Sequence, residues 1–325
     1  MKSKAVFSQN SGIPEYFFKI KGCGVTAGVL SFTGEYSTVK DCYIMERKID
    51  LHTHTTASDG IYSPSALIDY AVSKGVRALA VTDHDTTGGL EEAVRHAATT
   101  DIELIPGIEF SIDYSGGTFH LVGLGIDFHH PGYREVTEWL QHERDMRIVR
   151  MVDDLRAHDI DISIDEVRLE SAGASIGRPH VARILVKKGY APSVTDVFKE
   201  FLVKGKPGYA KKKKIALGDA LTLIRDSGGI SAVAHPISMN FGDFDSFRTM
   251  VKGFAAEGLQ GIEAYASMHT LDEVKKFLEI AEEFGLLVTG GSDFHGDKNE
   301  KIGYYQPETP IPVDILDGLR ELLSR

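Results

Sequence analysis

Cysteine is almost absent: Cys23 and Cys42 are the only two in 325 residues. That leaves no disulfide framework and no thiolate zinc site, and it fits a cytoplasmic protein. No apolar run reaches the ~18 residues that a transmembrane helix needs. The nearest approach to a targeting signal, residues 24–32 behind Lys19 and Lys21, is interrupted by glycine and lacks a small-residue cleavage site. Positive charge is in deficit, with 36 Lys and Arg against 47 Asp and Glu and a net charge of −11. Such a balance argues against a general nucleic-acid coat or an anionic membrane as partner, while leaving room for a locally basic site. There is no internal repeat. The glycine pairs Gly88-Gly89 and Gly290-Gly291 lack the spacing of a phosphate loop, so no organic cofactor is indicated.

What the chain does have is histidine beside carboxylates. In the stretch from Ile49 to Asp59, strand alternation sends Ile49 and Leu51 to one face and Asp50, His52 and His54 to the other. Asp59 follows across a short polar turn that could return its carboxylate to the two imidazoles. From Lys48 onward strands and helices alternate. Ser63-Pro64 opens a helix that stops at Gly75. The short apolar run 78–82 reads as a buried strand ending in Asp83-His84, 103–110 as another carrying Glu109, and 118–125 as a fourth containing His120. The pattern resumes after Lys214. Strand 230–234 runs into His235-Pro236, 261–265 follows, and 286–289 precedes Asp293-Phe294-His295. Seven strands in this alternation predict a parallel α/β sheet able to close into a barrel.

Between these halves the pattern is helical. Residues 127–214 are expected to form an insertion domain, with 45–126 and 215–325 making the barrel. Trp139, Met146, Val149, Val152 and Leu155 space out as one helix face, Ser163 with Glu166 resembles a capping box, and 177–180 opens a helix closed by Gly189. Residues 131–214 hold 17 Lys and Arg against 13 Asp and Glu, so this is the basic part of an acidic chain. Residues 1–44 carry no usable periodicity. They are expected to be an appended extension, disordered or the product of a start codon placed too early, with Met45 as the natural beginning.

In α/β barrels the site lies at the carboxyl ends of the strands. His52, His54, Asp59, Asp83, His84, Glu109, His120, His235, Asp293 and His295 all fall there. Imidazole and carboxylate without thiolate suit Mn, Fe or Zn better than Ca or Mg. Six histidines and several acids exceed what one ion holds, which predicts two or three divalent metal ions, with Glu109 as a bridge.

The runs DLHTHT at 50–55, TDHDT at 82–86, GIE at 107–109, AHP at 234–236 and SDFH at 292–295 resemble the polymerase and histidinol phosphatase (PHP) family. The resemblance implies a distorted seven-stranded (β/α)7 barrel with a trinuclear metal centre. Carried over, it implies one ion on His52, His54, Glu109 and Asp293, a second on Glu109, His120 and His235, and a third on Asp59, His84 and His295. Asp50 and Asp83 then orient ligands, and Asp85 is left unassigned. The sequences GRPH at 177–180 and GKPGY at 205–209 resemble a branch acting on nucleoside 3′,5′-bisphosphates or trimming short RNA from its 5′ end. That likeness implies that Arg178 and His180 face the substrate phosphate, at a helix N-terminus suited to anions.

The expected function is hydrolysis of a phosphate ester by metal-activated hydroxide, with the 3′-phosphate of a nucleoside 3′,5′-bisphosphate as the favoured substrate. Short RNA is the alternative substrate, and a non-catalytic metal-binding module is the non-enzymatic alternative. No membrane and no stable protein partner are expected. An amidohydrolase barrel bridging two metals by a modified lysine is disfavoured because no lysine occupies a strand end.

Overall fold

The computed structural model describes residues 48–171 and 176–325. The expected extension, 1–44, and its boundary at Met45 lie outside the described residues. The chain first forms β1 (Lys48–Asp50), α1 (Pro64–Ser73), β2 (Val76–Val81), α2 (Leu90–Ala97), β3 (Glu103–Ser111) and β4 (His120–Leu124). Four helices follow: α3 (Pro131–Ala157), α4 (Ile164–Glu170), α5 (Arg178–Lys187) and α6 (Val194–Val197), the last continuing into a π turn at Phe198–Leu202. Alternation then returns with α7 (Leu217–Asp226), β5 (Ile230–Ala234), α8 (Phe244–Ala256), β6 (Gly261–Ala266), α9 (Leu271–Phe284) and β7 (Leu287–Gly291). A small hairpin, β8 (Tyr304–Gln306) and β9 (Thr309–Pro310), and α10 (Ile315–Leu323) end it.

Strands β1 to β7 pair in chain order into one seven-stranded sheet, a nearly closed barrel. Closure at the rim comes from single contacts rather than a ladder. Leu51 N donates to Gly290 O at 3.1 Å and His54 N to Phe294 O at 2.9 Å. An all-parallel sheet was expected, yet β4 runs antiparallel to both β3 and β5. Only residues 112–119 join β3 to β4, too few for a crossover helix, so the chain turns straight back. The reversal matters for function, because it brings the first residue of β4, His120, to the rim where the other strands end.

Helix starts follow local chemistry. Ser63 Oγ accepts from Ala66 N with Pro64 in the first turn, and Ser163 and Glu166 form a complete capping box. The helix face expected from Trp139 to Leu155 is only half realised. Trp139 and Met146 are exposed, and the buried residues of α3 are Tyr133, Leu140, Ile148, Met151, Val152 and Leu155. The reason is a change of partner. Tyr133 and Leu140 pack on the core around the barrel, while Ile148 to Leu155 belong to a second core with Val167, Val181, Leu185, Val197 and Leu202. A helix that serves two cores does not keep one apolar stripe. Among the described residues, no helix is long and apolar enough to cross a membrane.

Candidate metal centre

The nine histidines and acids expected as metal ligands meet at the rim, with Glu109 at their centre. Glu109 is fully buried near the end of β3. Its Oε1 lies 3.2 Å from His52 Nε2, 2.9 Å from His120 Nδ1 and 3.0 Å from His235 Nε2. Its Oε2 lies 2.5 Å from His84 Nδ1 and 3.5 Å from His54 Nε2. Asp293 Oδ1 is 3.0 Å from His54 Nε2 and 3.5 Å from His52 Nε2. On the outer side, Asp59 approaches His295 Nε2 at 3.3 Å, His84 Nε2 at 3.8 Å and His54 Nδ1 at 3.9 Å.

These contacts form three overlapping donor groups: His52, His54, Glu109 and Asp293; His54, Asp59, His84 and His295; and His84, Glu109 and His120. His54 and His84 each face two groups, through different ring nitrogens. His235 stands at the edge of the third, with its Nε2 3.4 Å from His120 Nδ1. Several buried donors have no hydrogen-bond partner: His52 Nε2, His54 Nδ1, His84 Nδ1 and Glu109 Oε2. His84 Nδ1 and Glu109 Oε2 are close but not aligned as donor and acceptor. Lone pairs aimed at shared points, in a set of imidazoles and carboxylates, fit divalent cations.

The backbone is bent to deliver these side chains. His235 has φ of 27° and Asp293 φ of 57°, left-handed conformations that cost L-residues free energy and cluster at functional sites. Gly291, just before Ser292, has no room for a side chain: a Cβ there would meet His52 Cβ at 2.1 Å.

Behind the donors stands a layer of acids. Asp83 accepts from Thr55 N (2.8 Å), Thr55 Oγ1 (2.7 Å) and Ser58 Oγ (2.6 Å), which fixes the turn from His54 to Asp59. Asp50 accepts from Ser292 N (2.9 Å) and Gly303 N (2.7 Å), tying β1 to the end of β7. Glu263 on β6 was not anticipated. Its Oε1 lies 3.0 Å from His52 Nδ1, and its Oε2 accepts from His235 N at 2.6 Å. With Nδ1–H donating to Glu263, His52 presents its Nε2 lone pair to the cluster. Position alone gave a clue, since Glu263 is the one charged group in the strand GIEAYA.

Burial alone would push the Glu109 carboxyl up, but His84, His120 and His52 hold it well below the usual range. His52 lies well above its ordinary value because Glu263, Glu109 and Asp293 outweigh burial. Burial pushes His54 and His120 down. Burial acts the same way on His295, yet Asp59 and Asp293 raise it to about 9. A cation needs neutral imidazoles, so binding here would expel protons.

Arg178 and His180 make no hydrogen bond or ion pair with the nine. The Arg178 guanidinium lies over the Phe198 ring at 5.2 Å, and His180 Nδ1 accepts from Gly177 N at 3.0 Å. Arg147 Nε donates to Ala210 O at 2.7 Å. Burial and then the neighbouring Arg178 push the Arg147 guanidinium down to about 10. Among the described residues, neither arginine has an acidic partner. Lys212 belongs to no strand, yet its Nζ lies 2.7 Å from Asp85 Oδ2, next to His84.

A barrel with this rim of imidazoles and carboxylates defines a metal-dependent hydrolase. The family model described as the PHP domain matches residues 50–202. The chain is 37% identical over 284 residues to a 3′,5′-nucleoside bisphosphate phosphatase of Chromobacterium violaceum, covering 85% of this chain and 97% of that one. It is 34% identical over 248 residues to the 5′-3′ exoribonuclease Rnm of Escherichia coli, covering 76% and 84%. A solved amidohydrolase from Chromobacterium violaceum, with bound sulfate and no metal, superposes with a TM-score of 0.68 at 34% identity, covering 85% and 96%. The chain belongs to the PHP family, and it is a metal-dependent phosphoesterase.

Proposed function

We propose that the chain removes the 3′-phosphate of a nucleoside 3′,5′-bisphosphate, or of a similar small phosphorylated substrate, using two or three Mn, Fe or Zn ions. The observation that carries this reading is the Glu109 cluster, in which one buried carboxylate lies within 3.5 Å of five imidazoles, and His52, His54 and His84 each keep a buried ring nitrogen without a hydrogen-bond partner. Divalent cations in such a donor set supply Lewis acidity and lower the pKa of water toward 7. The protein's part is to fix the donors: Glu263 sets the His52 tautomer, Asp83 holds the His54–Asp59 turn, and Asp50 holds Ser292 beside Asp293.

Arg178 and Arg147 belong to the substrate side of this proposal. Two adjacent guanidinium groups without acidic partners suit a phosphate, which Arg binds in a bidentate way. His180, whose Nδ1 is engaged by Gly177 N, keeps Nε2 available to pass a proton to the leaving oxygen.

A second reading, 5′-3′ trimming of short RNA, is favoured by Arg144 and Arg150 beside Arg147 on α3 and by exposed Trp139 on the same helix. Arginines along a helix with an aromatic side chain suit a single strand. Turnover of a nucleoside 3′,5′-bisphosphate is to be compared with that of a 5′-phosphorylated dinucleotide. A bisphosphate faster by tenfold or more supports the first reading, and the reverse order overturns it.

A further inference from the structure

The four consecutive lysines Lys211 to Lys214 form two different pairs in the structure. It is extended beside the end of β3, where Ile112 bridges Ile215 and Asp113 N donates to Ile215 O at 2.9 Å. Alternation therefore splits the lysines. Lys211 and Lys213 are exposed, whereas Lys212 and Lys214 turn inward. Lys214 Nζ donates to Ile112 O at 3.3 Å.

Lys212 does more than cover surface. Its Nζ donates to Asp85 Oδ2 at 2.7 Å and to Ser111 Oγ at 2.8 Å. Ser111 Oγ also donates to Asp85 Oδ2 at 3.0 Å, and Ser111 N to Asp85 Oδ1 at 2.8 Å. Asp85 is 5% exposed and sits at φ of 55°, a backbone conformation that must be held in place. It follows His84 directly, and its own N donates to Glu109 O at 2.9 Å. His84 and Glu109 form an isolated bridge there, the point at which β2 and β3 deliver two donors of the cluster. Without Lys212, the buried Asp85 carboxylate would keep its serine bonds but lose its only ion pair among the described residues.

We propose that Lys212 is a positioning residue for the metal centre. By clamping Asp85 against Ser111 where the helical segment rejoins the barrel, it fixes the spacing of His84 and Glu109 and sets the cation affinity on that side of the cluster. The proposal rests on the reading that the cluster holds divalent cations. Residues behind a metal site of this kind change metal affinity by about 10- to 100-fold when removed.

The test is a calorimetric titration of the metal-free full chain with Mn²⁺, comparing wild type, Lys212→Met, Lys212→Arg and Lys213→Met. One class of Mn²⁺ site should weaken about 10- to 100-fold in Lys212→Met, recover at least in part in Lys212→Arg, and stay unchanged in Lys213→Met. With a nucleoside bisphosphate, kcat of Lys212→Met should fall at limiting Mn²⁺ and return in excess Mn²⁺, with KM unchanged. A Lys212→Met isotherm that superposes on wild type overturns the proposal. So does a raised KM with an unchanged isotherm, which would put Lys212 on the substrate. Should Lys212→Met fail to fold, Ser111→Ala opens the same clamp from the other side and must weaken the same site class; an unchanged isotherm overturns the proposal. Because the isotherm needs no substrate, an inactive wild type that still binds Mn²⁺ counts against the phosphoesterase reading alone.

Discussion

At the inner end of the cluster the side chains of His52 and Glu109 are wholly buried and that of Glu263 nearly so, whereas at the outer end Asp59 is 57% and His295 24% exposed. The inner donors are locked by a further carboxylate, with Glu263 bonded to both His52 and the backbone of His235. The outer ones lean on each other, on the turn that Asp83 holds and, through the backbone of His295, on Glu300, whose Oε2 accepts from His295 N at 2.7 Å. Buried, mutually bonded donors are preorganised and exclude water, while exposed donors leave a way in for solvent and substrate. On the proposed reading the inner end would hold cations the more firmly, and the outer end is the side open to solvent and substrate.

The sharpest way to break this contrast is at the centre of the inner end, where Glu109 belongs to two of the three donor groups and not to the outer one. Glu109→Gln should remove a donor from both of those groups and lower turnover by on the order of 10³-fold or more, with metal content falling in parallel. Glu263→Gln comes next: it keeps the shape but weakens the hold on the His52 tautomer, and should lower metal affinity about 10- to 100-fold by titration. Asp59→Asn should act only on the outer group, with loss of one metal equivalent and a smaller fall in activity, read by elemental analysis. Loss of every equivalent in that variant would erase the distinction.

The smallest effect is in pH. Metal-free His295 is raised to about 9, against burial, by Asp59 and Asp293. A histidine raised on folding adds stability that is fully present below its unfolded value near 6.5 and is lost as pH rises through about 9. Thermal melts of the metal-free protein should show a small fall in Tm over that window, reduced in Asp59→Asn. His52, His84 and His235 are also raised and His54 and His120 lowered, so the difference between the two proteins is the quantity that isolates the outer end.

The same contrast separates what the sequence made legible from what it did not. Donors at strand ends announce themselves by position: His52 and His54 alternate onto one face, and Asp83-His84 and Asp293-Phe294-His295 follow apolar runs directly. Glu263 gave only the weaker clue of being the one charged group in a buried strand, with no spacing to tie it to the histidines. Lys212 and Asp85 are 127 positions apart, and a run of four lysines conceals which two turn inward. The direction of β4 depended on a connection too short for a helix, and the course of α3 on two cores that no single periodicity describes. The donor groups also overlap more than the expected division. His84 joins Glu109 and His120, and His54 serves the outer group as well as the inner one.

Metal content and turnover measured on the same samples bear most directly on whether the Glu109 cluster is a phosphoesterase site. Wild type loaded with Mn²⁺ should hold two or three equivalents and hydrolyse a nucleoside 3′,5′-bisphosphate, and Glu109→Gln should lose both properties together. A metal-replete wild type that hydrolyses no phosphoester, or a Glu109→Gln protein that keeps full metal and full turnover, would contradict it.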